Sequence, residues 1–460
     1  MDKNNTADAQ ALLIYPPIHD FALYDLFLKP YGLLNLGAML EAGGWMTQFI
    51  NALDYSNPAT IETLGPVRRK PDGTSKFHRS QLKLPSELNG IQRRFARYGI
   101  HPEAFAEQIA RNRPDAVFIA SGMTYWYRGL IEAIEVCRSI WPDVPVIMGG
   151  VYASLMSGHC KSVCGPDYIA AGSMITGSGE ALSESGLGLN EFLSRASLPG
   201  IALAAGSGPL DASCWTDAAV LRLNDGCPMN CGYCASRSLC GGFTKGRPEL
   251  AFNRLRHLSE TRGTRNFAFY DDALLFDSDR SFIPFLRQVI DYSRSTGVNF
   301  NFYTPNAMHI RYMTIETAEL MKMAGFQEVR LGFESSSPEF HCEYDNKYSE
   351  PGFHNTVKML SEAGFSREQI IVYILAGLPG QQASEVEDTI RFASGRGLSL
   401  SVSEFSPVPG SPMWPDCVEN CRFPIEDEPL FHNNSFFPME WKDFSREDMQ
   451  RLKTLSKQHL

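Results

Sequence analysis

Three cysteines, Cys227, Cys231 and Cys234, stand in the spacing C-x3-C-x2-C within the stretch NDGCPMNCGYCASRS, residues 224–238. Three thiolates so close together cannot all bridge one another. A single zinc ion ordinarily takes four ligands, and zinc ribbons pair two C-x2-C knuckles; the chain offers no second knuckle. A cubane iron–sulfur cluster held by three cysteines instead leaves one iron free to bind a small molecule. The glycines and the proline among the cysteines let backbone amides approach the inorganic sulfides. The spacing therefore points to a [4Fe-4S] centre with an open position.

Such a loop needs a strand to present it. AVLRLND (219–225) leads into the cysteines, and the helical PELAFNRLRHLSET follows. NFAFYDD, VNFNFYTPN, EVRLGFES, IIVYILAGLPG and LSLSVSEFSPVPG then read as strands, each separated from the next by a helical stretch. Six β-α units without closure predict a partial (β/α)6 barrel over residues 219–415, with a C-terminal extension at 416–460. Before it, ALLIYPP, DAVFIASG, VPVIMGG and DYIAAGS alternate with helical segments such as YGLLNLGAMLEAGG. That alternation predicts an α/β, doubly wound, Rossmann-like parallel-sheet domain over 1–180. Residues 55–100 break its rhythm as an insertion, and 181–218, rich in Ser, Gly, Ala and Leu, read as a linker. Ligands of such sheets bind at the carboxyl ends of the strands. Pro17, SGMTYWY (121–127), GGVYAS (149–154) and GSGE (177–180) would then form one ring of loops.

The bulk numbers bound the function. With 460 residues, 43% hydrophobic and 20% charged, the chain is long enough for two domains of ordinary globular composition. A formal charge of −10 argues against a nucleic-acid partner. One segment is locally basic, holding Arg68, Arg69, Lys70, Lys76, Arg79, Lys83, Arg93, Arg94 and Arg97. It reads either as a solvated face or as a surface for an anionic ligand. No run approaches the length of a bilayer span, and the N-terminus lacks the pattern of a signal peptide. Eleven cysteines without a secretion signal place the expected home in a reducing cytoplasm. Cys160-x3-Cys164 and Cys417-x3-Cys421 read as buried structure.

GCPMNCGYC resembles the cluster loop of the radical S-adenosylmethionine (SAM) superfamily, and the six β-α units fit that superfamily's partial barrel. The resemblance implies that Cys227, Cys231 and Cys234 bind the cluster and that Tyr233 lies near the adenine of SAM. FYDDAL places Asp271 and Asp272 where the superfamily keeps polar groups for the methionine ammonium, although its Gly-Gly-Glu form is absent. By the same resemblance Glu334 in LGFES contacts ribose or amino groups, and ILAGLPGQ, with Gly377 and Pro379, brings backbone to the adenine.

The N-terminal half resembles the cobalamin-binding domain that precedes the barrel in one large subgroup. KPYGLLNLGAMLEAGG, MTYWYRGLIEAIEVCRSIWPDVPVIMGGVYAS and GPDYIAAG carry that likeness. It implies cobalamin contacts from Pro17, Thr124, Tyr125, Gly149, Gly150, Gly179 and Glu180. The Asp-x-His-x-x-Gly motif that supplies a lower histidine ligand to cobalt is absent, and His19-Asp20 has the wrong spacing. The resemblance thus implies either cobalamin bound without a histidine ligand or a domain that has kept the fold and lost the cofactor.

The activity implied is methylation of an unactivated carbon. One SAM recharges the corrinoid with methyl, and a second yields the 5′-deoxyadenosyl radical that activates the substrate. A low-potential flavodoxin or ferredoxin would supply electrons, and the substrate is an unspecified small molecule or peptide. Radical cyclisation, rearrangement or oxidation without methyl transfer is the alternative within the superfamily. A non-catalytic iron–sulfur or corrinoid carrier is the alternative outside it, and it has no need of SAM-binding strand ends.

Overall fold

The computed structural model describes residues 9–172, 193–194, 197–198, 217–347 and 349–458. Gly179 and Glu180 lie outside them, as does most of the segment read as a linker. The chain divides into two compact units, Met1–Thr216 and Asp217–Leu460.

The first unit opens with β1 (Gln10–Tyr15), whose apolar run is almost wholly buried and stops at Pro16-Pro17. Short β2 (Ile18–Asp20) and β3 (Tyr24–Asp25) follow, and the helix Tyr31–Ala42 then returns the chain to β4 (Met46–Asn51). Residues 55–100 carry β5 (Ser75–Lys76), β6 (Arg79–Leu82) and β7 (Phe95–Tyr98). These are antiparallel: β7 pairs with β2 and β6, and β5 pairs with β3. The insertion is thereby fastened to the loop that leaves β1. Two of its basic residues turn inward. Arg97 is 4% exposed and bonds Glu132 at 2.7 Å, and Arg69 bonds Asp25 at 3.1 Å.

The chain next forms β8 (Ala116–Ser121), β9 (Val146–Gly149) and β10 (Tyr168–Ile169). The five main strands are parallel in the order β10-β9-β8-β1-β4. From β1 the winding first goes outward to β4 and then continues on the other side from β8. That reversal opens a crevice at the carboxyl ends of β1 and β8.

In the second unit, β11 (Ala218–Leu221), β12 (Asn266–Phe269) and β13 (Asn301–Tyr303) form one parallel sheet. β14 (Val329–Glu334), β15 (Ile370–Ala376) and β16 (Ser399–Glu404) form another. Parallel bridges Phe302–Phe326 and Met308–Leu331 join the two, giving six consecutive parallel strands with helices between them. One face of each strand packs on those helices. Phe267, Phe269, Phe302 and Phe333 are fully buried there, and Phe269 stacks on Phe326 at 5.8 Å. Burying rings of this size contributes about 1.5–3 kcal/mol each.

Candidate active site

β11 delivers the chain to the cysteine loop, and two constraints shape its neck. Gly226 has φ +68°, and a Cβ there would overlap the carbonyl oxygen of Gly242. Asp225 and Thr244 exchange backbone hydrogen bonds of 2.9 and 2.8 Å. Within the loop, Gly232 donates its N–H to Tyr344 O at 2.7 Å and accepts from the N–H of Met413 at 2.8 Å. Asp271, buried just past β12, accepts from the backbone N–H groups of Leu223 (3.0 Å) and Asn224 (2.7 Å). Burial pushes its carboxyl up to about 7, against the pull of those two donors. Asp271 therefore ties the second strand to the start of the loop, while Asp272 beside it stays partly exposed.

Cys227 and Cys234 are partly exposed and Cys231 is buried. Burial raises the Cys227 thiol and pushes Cys231 up to about 12, and both feel the charge of Cys234. The three sulfurs are thus close enough to repel one another. Yet among the described residues no three His, Cys, Asp or Glu side chains converge on a point that could hold one metal ion. Three thiols within eight residues match the ligand set of a cubane, which spreads three thiolates over three irons. The Ser236 N–H lies 3.4 Å from Cys234 Sγ, a donor for a sulfur that carries charge.

Beside the loop Glu334 and Tyr233 meet three residues that the sequence reading did not single out, Lys347, Asp345 and His341. Glu334, at the end of β14, has φ +65°, where a side chain costs about 1–3 kcal/mol. Its Oε1 lies 3.1 Å from Lys347 Nζ, and both side chains are nearly buried. The Lys347 ammonium sits 5.2 Å from the centroid of the Tyr233 ring, which lies between two of the cysteines in sequence. Burial works against the lysine charge, but Glu334, Cys231 and Asp345 hold its pKa above the usual value. Tyr233 donates to Asp345 Oδ2 at 2.6 Å; burial and the neighbouring carboxylates push its phenol well up, so it stays neutral. His341 then links Asp345 (2.6 Å) to Ser335 O (2.7 Å). In sequence this group is HCEYDNK, a mixed polar stretch indistinguishable from a solvated helix end.

Gly377, at the end of β15, has φ +91° and donates its N–H to Gln381 Oε1 at 2.7 Å. Pro379 is partly exposed in the turn that follows. The Phe437 ring fills the space a Cβ on Gly377 would need. Asn434 Nδ2 reaches Glu404 O at 3.4 Å, and Trp441 Nε1 donates to Gln381 O at 2.9 Å. The aromatic tail therefore lies across the carboxyl ends of β15 and β16.

In the first unit, Pro17, Thr124, Tyr125, Gly149 and Gly150 follow or end the neighbouring strands β1, β8 and β9. The Pro17 carbonyl lies against Gly129, where no larger residue would fit. Gly150, φ +87°, bridges to Ser121, and a Cβ on it would come within 2.6 Å of the Ser121 oxygen. Trp126 Nε1 donates to Asp20 Oδ2 at 2.7 Å, and burial pushes the Tyr125 phenol up. His19 Nε2 is tied to Glu132 at 2.7 Å. Cys160 and Cys164 are buried with Met148 and Tyr152.

Residues 221–393 match the family model for the radical SAM superfamily. An uncharacterized methyltransferase of Pyrococcus horikoshii, PH0819, is 25% identical over 237 residues, which cover 50% of this chain and 45% of that protein. The chain thus spans about half the length of that curated relative. Among solved structures, the radical SAM methyltransferase TsrM from Kitasatospora setae, with tryptophan substrate and a SAM analogue bound, superposes with a TM-score of 0.65 at 15% identity. That likeness covers 97% of this chain and 89% of TsrM. The cobalamin-dependent SAM radical enzyme OxsB, with aqua-cobalamin and SAM bound, gives 0.54 at 11% identity, over 98% of this chain and 61% of OxsB. At such identities the likeness is one of fold.

Proposed function

Since residues 221–393 belong to the radical SAM superfamily, we propose that the protein is a cobalamin-dependent radical enzyme that methylates an unactivated carbon. The observation that carries this reading is the cysteine loop: three thiols within eight residues that act on one another electrostatically, set beside Lys347, Glu334 and Tyr233. When bound, the cluster supplies the electron that splits SAM into methionine and a 5′-deoxyadenosyl radical, and cobalamin supplies the methyl group.

The chain's own residues bind, orient and exclude water. Cys227, Cys231 and Cys234 hold the cluster. Asp272 and Asp271 serve the methionine ammonium, with Asp271 also fixing the loop through Leu223 and Asn224. Glu334, oriented by Lys347, and neutral Tyr233 meet the nucleoside part, and the backbone at Gly377 and Pro379 meets the adenine. Pro17, Thr124, Tyr125, Gly149, Gly150, Gly179 and Glu180 receive the corrin. The tail over β15 and β16 shields that end of the barrel from water, as chemistry with an unquenched radical requires. A flavodoxin or ferredoxin in the cytoplasm would deliver the electron. Among the described residues no helix is long and apolar enough to cross a membrane.

The test is anaerobic reconstitution of the wild type and of Cys231→Ala. The expected result is about four irons per chain in the wild type and 5′-deoxyadenosine on adding SAM and dithionite, with neither in the variant. An intact cluster that never cleaves SAM would turn the reading toward a carrier.

A further inference from the structure

The third strand of the barrel contributes nothing to the roles assigned so far, yet the connection that follows it holds two side chains with buried polar atoms that have no partner among the described residues. Residues just past β13 run alongside β14: the Met308 N–H donates to Arg330 O at 2.7 Å, and Gly332 donates back to Met308 O at 2.9 Å. His309 ends this stretch. Both of its ring nitrogens are shut off from solvent, and neither has a hydrogen-bond partner among the described residues. The hydroxyl of Thr304, on the same connection, is likewise buried and unpartnered. Buried groups with unused hydrogen-bonding capacity are costly in the free protein, and a ligand is one thing that satisfies them.

The surroundings of His309 say which ligand. Its ring packs on Tyr312 with centroids 5.1 Å apart, and the Tyr312 hydroxyl lies 3.9 Å from Met229 Sδ inside the cysteine loop. Lys347, Asp345, Arg311 and His341 all act on the imidazole electrostatically. Burial, reinforced by the Lys347 charge, brings its pKa down to about 3, so the ring is neutral, with one donor and one acceptor. Lys347, Glu334, Tyr233 and Asp345 are bonded to one another. His309 is the neighbour whose ring has no hydrogen-bond partner among the described residues, so its donor and its acceptor are both unused. As a residue it is partly exposed, so a rotation of the ring presents a nitrogen to the open side.

We propose that His309 is a binding residue for SAM, its imidazole N–H donating to a carboxylate or hydroxyl oxygen of the cosubstrate next to Lys347. This rests on the function proposed above and adds a contact from the third strand.

The experiment compares wild type, His309→Leu and His309→Gln, each with its cluster reconstituted. Equilibrium dialysis gives the Kd for SAM, and melting without SAM gives stability. The Leu variant should bind SAM at least about tenfold more weakly, equivalent to about 1.4 kcal/mol. It should melt no lower than wild type, because a group that was unsatisfied has been removed. The Gln variant, which keeps an N–H, should recover most of the affinity. Repeating the dialysis with methionine and with 5′-deoxyadenosine tells carboxylate from ribose hydroxyl by which one loses affinity. A Leu variant that binds SAM as tightly as wild type overturns the proposal alone, as does a lower melting temperature with unchanged Kd, the mark of a structural histidine. A wild type that binds no SAM overturns the function on which it rests.

Discussion

Replacing Gly226 with alanine should damage the cysteine loop through two separable terms. At φ +68° an L-residue sits in the left-handed region, which costs about 1–2 kcal/mol. The new Cβ would also start 2.2 Å from the carbonyl oxygen of Gly242, whereas carbon and oxygen in favourable contact lie at about 3.3 Å. The neighbour is backbone, so relief requires the two arms of the neck to part by about 1 Å, and overpacking of that kind costs about 1–3 kcal/mol. The sum is about 2–5 kcal/mol. Gly263 provides the control, because it has φ +70° in the left-handed region but nothing within 4 Å of its would-be Cβ. Gly263→Ala should therefore show only the first term. The assay is thermal unfolding together with iron per chain after anaerobic reconstitution. Gly226→Ala should melt well below Gly263→Ala and lose most of its iron, while Gly263→Ala keeps it. Equal melting temperatures, or full iron in Gly226→Ala, would refute the claim that the neck's close approach shapes the cysteine loop.

Lys347→Met should destabilise the protein by about 3–5 kcal/mol, since it leaves Glu334 almost buried without its counter-ion. Lys347→Met with Glu334→Gln should recover most of that in a thermal-unfolding cycle. Phe437→Ala should cost about 3–5 kcal/mol and make the tail, residues 429–441, a site of early proteolysis, because the 1%-exposed ring fills the space over Gly377. Although burial opposes it, hydrogen bonds from His19 and Arg97 hold the Glu132 carboxyl below its ordinary value of 4.5. A depressed carboxylate adds stability above the unfolded value and loses it as pH falls through the folded one. Acid unfolding curves should accordingly show wild type losing stability below pH 4.5 more steeply than Glu132→Gln.

Much of both units was legible because their strands are apolar runs of the right length between turn residues. ALLIYPP, NFAFYDD and IIVYILAGLPG end at Pro, Asp or Gly, where the structure ends β1, β12 and β15. The cysteine loop stood out in the sequence because its three thiols lie within eight residues. The antiparallel pairing within residues 55–100 was not, since it depends on β2, a three-residue strand more than fifty residues earlier. Lys347, Asp345 and His341 were also hidden. Their meaning comes from a contact with Tyr233 more than a hundred residues away, and along the chain they look like any charged surface turn. His309 carried no local signal at all; its orphaned nitrogens exist only in three dimensions.

The measurement closest to the central claim uses reconstituted protein loaded with hydroxocobalamin, desalted, and then given SAM labelled in its methyl group together with dithionite. Mass spectrometry follows the corrinoid and the nucleoside. One corrinoid retained per chain, transfer of the labelled methyl to it, and formation of 5′-deoxyadenosine are the predicted results. Deoxyadenosine from protein that retains no corrinoid would contradict the account and leave a radical enzyme of another outcome.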